Sequence, residues 1–211
     1  MLKDTHIAVG LAASTYMMLP VSDTKTTVLG MCAAVMAATF PDLDLLDEKG
    51  HSNLEEIKEA VYKACPMLFL WYGHVASEAV TDLSYESINR MRDALSGYGL
   101  TKVLQLLVWF TCVLVTVMSS HRGWSHYLAW AAVVTGCFYM IITDLQITKW
   151  FWYSILSHLL IDLLNKKSIK LLWPVPVNFR LCVCDSDGPL SKLIGMAATA
   201  IFTILVYRRF V

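Results

Sequence analysis

"LTKVLQLLVWFTCVLVTVMSSHRGWSHYLAWAAVVTGCFYMII", residues 100–142, sets two long apolar runs on either side of His121, Arg122 and His126. Residues 101–120 and 124–143 each approach the roughly 20 apolar residues that a bilayer crossing requires. Ionisable side chains at the junction of two such helices are costly unless they face protein, a partner group or an ion. The stretch therefore predicts two membrane helices that meet at a polar site.

The rest of the chain repeats this pattern. Of 211 residues, 56% are hydrophobic and only 16% are charged, more apolar than a water-soluble domain. Residues 189–207 form a further apolar run. Residues 147–164 read as a helix in which His158 and Asp162, four apart, share one face, with Asn165 one further turn along it. Runs 6–19 and 26–40 flank the turn-rich "PVSDTKT" and predict a helical hairpin, each arm short for a full span. The N-terminal run, behind a single lysine and containing His6, does not read as a cleavable signal. "DEKGHSNLEEIKEAVYKA" reads as an exposed amphipathic helix, and 66–82, with His74 and Glu78, as a complete or re-entrant crossing. The expected fold is an all-α polytopic transmembrane helical bundle, one domain over 1–211.

Seventeen basic and seventeen acidic residues balance to zero net charge, and no basic block suits nucleic acid. Cys32, Cys112 and Cys137 lie in apolar runs, where a buried thiol is the ordinary occupant. Cys182 and Cys184 lack the spacing of a zinc ribbon.

Several polar residues recur at the ends of these helices: His6, the Asp42–Asp44 pair of "FPDLD", His121 and His126, and His158 with Asp162. Imidazole and carboxylate are the donors expected for zinc, manganese or iron, and residues from several helices can close one site. A lone intramembrane histidine is ordinarily a hydrogen-bonded interface residue, and "PDLD" alone is a common turn. Burying the whole set costs several kcal/mol, of the order of a few for each group, unless the groups are paired or metal-bound. His121 and His126 would diverge by about 140° on a continuous helix, so Gly123 is the expected break. Pro41 stops the second helix, and the alternation after it puts Asp42 and Asp44 on one side, one as ligand and the other to orient a histidine or take a proton.

"THIAVG", "FPDLD", "HRGWSH" and "SHLLIDLLNKKSIKLLWPVPVNFRL" resemble, in order, the TH-x-x-x-G, PD-x-D, HRG-x-TH and SH-x-x-x-D…Leu-Trp-Pro motifs of the LexA-regulated, membrane-bound, metal-dependent hydrolases of bacteria. The resemblance covers both ends of the chain. It implies a multi-pass inner-membrane hydrolase whose ligands are His6, Asp42, His121, His126, His158 and Asp162, around one or two divalent ions, zinc first and manganese second. The His-x-x-x-acid pattern is also similar to part of the metal-binding pattern of zinc-dependent phospholipase C enzymes, which implies a phosphoester of a lipid or lipid-linked substrate. In that reading Asp44 takes the proton of the attacking water and Arg122 neutralises charge on the substrate. Trp173, Pro174, Pro176 and Arg180 would wall the entry.

The chain departs from the family pattern at Ser125, which replaces threonine, at Asn165 with "KKSIK", and in an insertion at about 45–120. For all ligands to meet at one membrane face, the chain must cross an even number of times between Asp42 and His121, so 66–82 must supply a crossing beside 101–120. Lysine and arginine counts on the two sides favour a cytoplasmic-facing site. The competing class is a non-hydrolytic metal-binding protein or transporter, which would spread polar groups across the bilayer rather than gather them at one side.

Overall fold

A computed structural model describes residues 3–43, 101–102, 104–119, 123–172, 174–175 and 177–210. Six helices make up this part: α1 (Lys3–Met18), α2 (Thr24–Thr39), α3 (Leu104–Val117), α4 (Leu128–Ile142), α5 (Leu145–Leu163) and α6 (Pro189–Phe210). One 3-10 turn, 41–43, follows α2 and another, Trp124–His126, precedes α4. The described residues contain no strand, and two isolated bridges, Asn165 with Cys184 and Ile169 with Phe179, brace the loop between α5 and α6.

The α1–α2 hairpin forms as expected. Asp23 ends the turn and caps α2 by accepting the Thr26 amide at 2.7 Å, which satisfies one of the donors a helix leaves open at its start. Helices α4 and α5 differ in extent from their apolar runs, each for a local reason. Trp124, Ser125 and His126 wind into the 3-10 turn, so α4 begins at Leu128 rather than 124. It ends at Thr143, whose φ of 55° is left-handed and closes the helix. Asp144 then accepts the amides of Gln146 and Ile147 at 2.7 and 3.1 Å, starting α5 two residues before the apolar run.

Among the described residues, α6 alone is long and apolar enough to cross a bilayer, while α3 and α4 are shorter apolar helices. Its 22 residues reach about 33 Å at helical rise, and Leu193, Met196, Ile201, Ile204 and Tyr207 stand at least half exposed along it. The 66–82 crossing and the amphipathic helix lie outside the described residues.

Helix α5 is the axis of the bundle, packed against α1, α2 and α4. Two glycines set how closely its neighbours approach. A Cβ on Gly10 of α1 would overlap Ser154 Oγ, and one on Gly30 of α2 would overlap the Trp150 indole. The space those missing methyls leave is filled by α5 itself. Ser154 donates to Ala34 O of α2 at 2.6 Å and Trp150 Nε1 to Ser22 Oγ at 3.2 Å, the kind of polar tie that joins close-packed helices in apolar surroundings. On the far side, Phe138 stacks on Phe151 with centroids 4.4 Å apart, and Trp109 brings α3 against Phe40 and Phe138. Cys112 and Cys137 are free thiols in the α3–α4 contact, their sulfurs 3.6 Å apart.

Candidate metal centre

Five of the expected ligands converge at one end of the bundle, from four parts of the chain. His6 comes from the first turns of α1, Asp42 from the turn that follows α2, His126 from the 3-10 turn before α4, and His158 with Asp162 from the last turns of α5. His126 and His158 are fully buried, His6 and Asp162 nearly so, and Asp42 keeps 11% of its side chain exposed at the edge of the cluster.

The geometry is tight. Asp162 reaches two histidines, with Oδ1 3.4 Å from His6 Nε2 and Oδ2 3.1 Å from His126 Nε2. His158 Nε2 stands 3.6 Å from Asp42 Oδ1 and 3.9 Å from Asp162 Oδ2. Two triads, His6–Asp42–His158 and His126–His158–Asp162, each bring one donor atom per residue within 4.8 Å of one another, and they share His158.

Local structure explains why these side chains meet. His6 and Gly10 are four apart on one face of α1. The missing Cβ at Gly10 lets α1 close on α5, and one turn away the His6 and His158 rings stack with centroids 3.9 Å apart and planes 19° apart. Thr5 Oγ1 donates to Ser191 O at 3.3 Å, tying the start of α1 to the start of α6. Pro41 follows the α2 C-cap and turns Asp42 inward.

The donor chemistry can be tested against a metal on His158. Its Nδ1 lies 2.7 Å from Ala38 O. A carbonyl oxygen only accepts, so Nδ1 carries the proton. In the neutral ring Nε2 then presents a bare lone pair to two carboxylates, which is repulsive unless a cation or a second proton stands there. Protonating the stacked His6 and His158 together would set two cations 3.9 Å apart. A divalent ion meets both conditions, because it accepts the lone pairs and balances the two carboxylates. A ligand histidine whose other nitrogen is held by a backbone carbonyl is also the usual arrangement at metal sites. His126 Nδ1 lies 2.8 Å from Ser125 Oγ, which orients the ring and, as a hydroxyl, serves either tautomer. The residues present therefore fit a divalent metal with mixed nitrogen and oxygen donors.

Of the remaining expected site residues, Asp44, His121, Arg122, Trp173 and Pro176 lie outside the described residues, as do His74 and Glu78. Asn165 is not a further donor on the His158–Asp162 face. It follows the C-cap of α5, buried, and its Nδ2 donates to Ser186 Oγ at 2.8 Å, fastening the α5–α6 loop. Arg180 and Pro174 are exposed in that loop, where Lys166 pairs with Asp185 at 2.8 Å, a contact that raises the lysine above its ordinary pKa.

Sequence reasoning passed over the Ala38 carbonyl, which every residue offers and no pattern marks. It also passed over the role of Gly10, which the TH-x-x-x-G spacing did signal by placing the glycine on the face of His6.

The described residues thus define a helical bundle, with one helix long and apolar enough to span a membrane, that gathers at one end a buried cluster of histidine and carboxylate groups. The chain belongs to the YdjM inner membrane protein family, whose family model matches residues 1–210. No curated protein and no solved structure matches it. Membrane residence, read from the apolar runs, is thus met by the family, and LexA regulation is consistent with it.

Proposed function

We propose that this protein is a multi-pass, metal-dependent hydrolase of the inner membrane that cleaves a phosphoester of a lipid or lipid-linked substrate. The observation that carries the reading is the convergence of His6, Asp42, His126, His158 and Asp162, from four separate parts of the chain, into a buried cluster. Folding an apolar protein around these groups costs several kcal/mol, of the order of a few for each unpaired group. A purely structural role leaves that cost unexplained.

His6, Asp42, His126, His158 and Asp162 would hold one or two divalent ions, zinc or manganese, and the family resemblance adds His121 to the ligand set. A bound divalent metal supplies a water acidic enough to ionise near neutral pH and polarises a phosphoryl oxygen. The chain's own residues do the rest. Ala38 O and Ser125 Oγ fix the His158 and His126 rings so that their Nε2 atoms face the centre. Asp162, between His6 and His126, keeps both rings in register. Asp42, at the exposed edge, marks the side from which substrate and water arrive. Asp44 takes the proton of the attacking water, and Arg122 pairs with the phosphate, a geometry its planar guanidinium suits. The gathering of polar groups at one end favours an enzyme over a transporter, which needs them along a path.

The test is release of phosphorylated headgroup from phospholipid vesicles by purified protein, with and without chelator, in native, Asp44→Asn and His126→Ala forms. Chelator-sensitive release that both substitutions abolish is expected. Metal-loaded native protein that cleaves none of the common bacterial phospholipids or lipid-linked phosphates would end the proposal.

A further inference from the structure

Helix α6 rests on α1 along one flank and leaves a furrow between them. A cavity of about 700 Å³ lies there, bounded by Asp4 and Ala8 of α1 and by Lys192, Met196, Ala200 and Thr203 of α6. A second cavity of about 270 Å³ shares Asp4, Ala8 and Thr199 with it and extends the furrow toward Leu11 and Phe202. Asp4 and Ala8 lie on the side of α1 roughly opposite His6 and Gly10, so the furrow opens outward while the histidine faces the bundle.

Three observations identify what fits this furrow. Its wall is apolar even where the residues are not, because Thr199 Oγ1 donates to Gly195 O and Thr203 Oγ1 to Thr199 O, both at 2.9 Å. Their hydroxyls are satisfied within α6, so the furrow makes no demand for polar partners. The wall also belongs to α6, which alone among the described residues has the length and composition of a membrane span, and in an inner membrane protein family a hydrocarbon surrounding suits such a helix. Finally, the two charges lie at one end, Asp4 and Lys192, in the first turns of α1 and α6 where Thr5 meets Ser191 O. An ammonium and a carboxylate at the head of an apolar furrow complement a phosphate and an amine at the head of an acyl chain.

We infer that the α1–α6 furrow is an acyl-chain site for an amine-bearing glycerophospholipid, with the phosphate at Lys192 and the tail along Ala8, Met196 and Ala200. This deepens the proposed hydrolase reading, on which it rests only for the fate of the lipid. The chain would be held on the outer side of α1 while the headgroup lies at the end that carries His6. The volume falls within the range of small-molecule sites, roughly 300–1,000 Å³.

The test uses a phosphatidylethanolamine probe with a photoreactive diazirine on one acyl chain. It is added in trace amount to phosphatidylethanolamine–phosphatidylglycerol vesicles holding the full-length protein. Peptide mapping after illumination is expected to place most label within residues 4–11 and 192–204. Ala8→Phe and, separately, Ala200→Phe are expected to abolish that label while label at Val133 and Met140, exposed on α4, persists. Neither position belongs to the packed core, and the α4 label reports intact insertion. His158→Ala should retain the furrow label, and native metal-loaded protein that takes the label but releases no headgroup defeats the hydrolase reading alone. Label spread equally over α4 and α6, or unmoved by both phenylalanines, overturns the inference. So does a photoreactive amino acid placed at position 200 that crosslinks to residues 44–100 or to a second copy of the chain rather than to lipid.

Discussion

Replacing Gly10 by alanine sets two effects of opposite sign against each other. On an isolated helix the change is favourable by about 1 kcal/mol, because glycine is the poorer helix former. In the bundle the new methyl would overlap Ser154 Oγ and stand 2.9 Å from Ala38 Cβ, well inside the roughly 3.5–4.0 Å of ordinary carbon contact. Overpacking of this kind costs about 1–3 kcal/mol. Displacing Ser154 also threatens its 2.6 Å bond to Ala34 O, worth about 1 kcal/mol. The balance is a loss of about 1–3 kcal/mol. The same shift moves α1 off α5 one turn from the His6–His158 stack. Thermal unfolding in detergent should show Gly10→Ala below native, and the Gly10→Ala/Ser154→Gly double variant, which reopens the space, recovering over the single change. A Gly10→Ala protein as stable as native or more so would refute the argument that close approach at Gly10 positions His6.

Two further outcomes follow from the fold. The Thr26 side chain and amide hold the Asp23 carboxyl below the usual carboxylate range. Its stabilising contribution is therefore complete above the ordinary aspartate pKa and drains away as pH falls through the lowered folded value. The gap in unfolding midpoint between native and Asp23→Ala should be steady near neutral pH and close in acid; a gap that widens in acid would contradict the cap. In a cysteine-free background, Lys170→Cys and Lys192→Cys should react with an impermeant thiol reagent from one side of sealed vesicles and Lys25→Cys from the other. Labelling of Lys25→Cys and Lys170→Cys from the same side would break the single-face arrangement.

Much of the site was legible because its chemistry is written in local spacing. His158 and Asp162, four apart on a long helix, had to share a face, and the break expected near Gly123 does deliver His126 to the cluster. The helix ends were less legible. The apolar run at 124–143 continues through Ser125 and His126 without a marker, yet the site needs that stretch as a 3-10 turn. The start of α5 was set by the Asp144 carboxylate, a capping signal that the hydrophobic pattern alone conceals. The least legible features are tertiary. Gly10 against Ser154, Gly30 against Trp150 and Ala38 O against His158 pair residues 120 or more apart in sequence. No one-dimensional pattern reports which glycine faces which side chain. Asn165 shows the converse, since its spacing placed it on the face of His158 and Asp162 while the end of α5 turned it to Ser186.

The central claim is that the histidine–carboxylate cluster exists to hold a metal, and elemental analysis of the purified protein tests it most directly. Native protein, and Asn165→Ala as a control buried nearby but outside the donor set, should retain a stoichiometric divalent ion through dialysis. His158→Ala, which removes the residue shared by both triads, and Asp162→Asn should lose it while remaining folded. Native protein that stays metal-free after exposure to zinc and manganese, or variants that hold as much metal as native, would contradict the account.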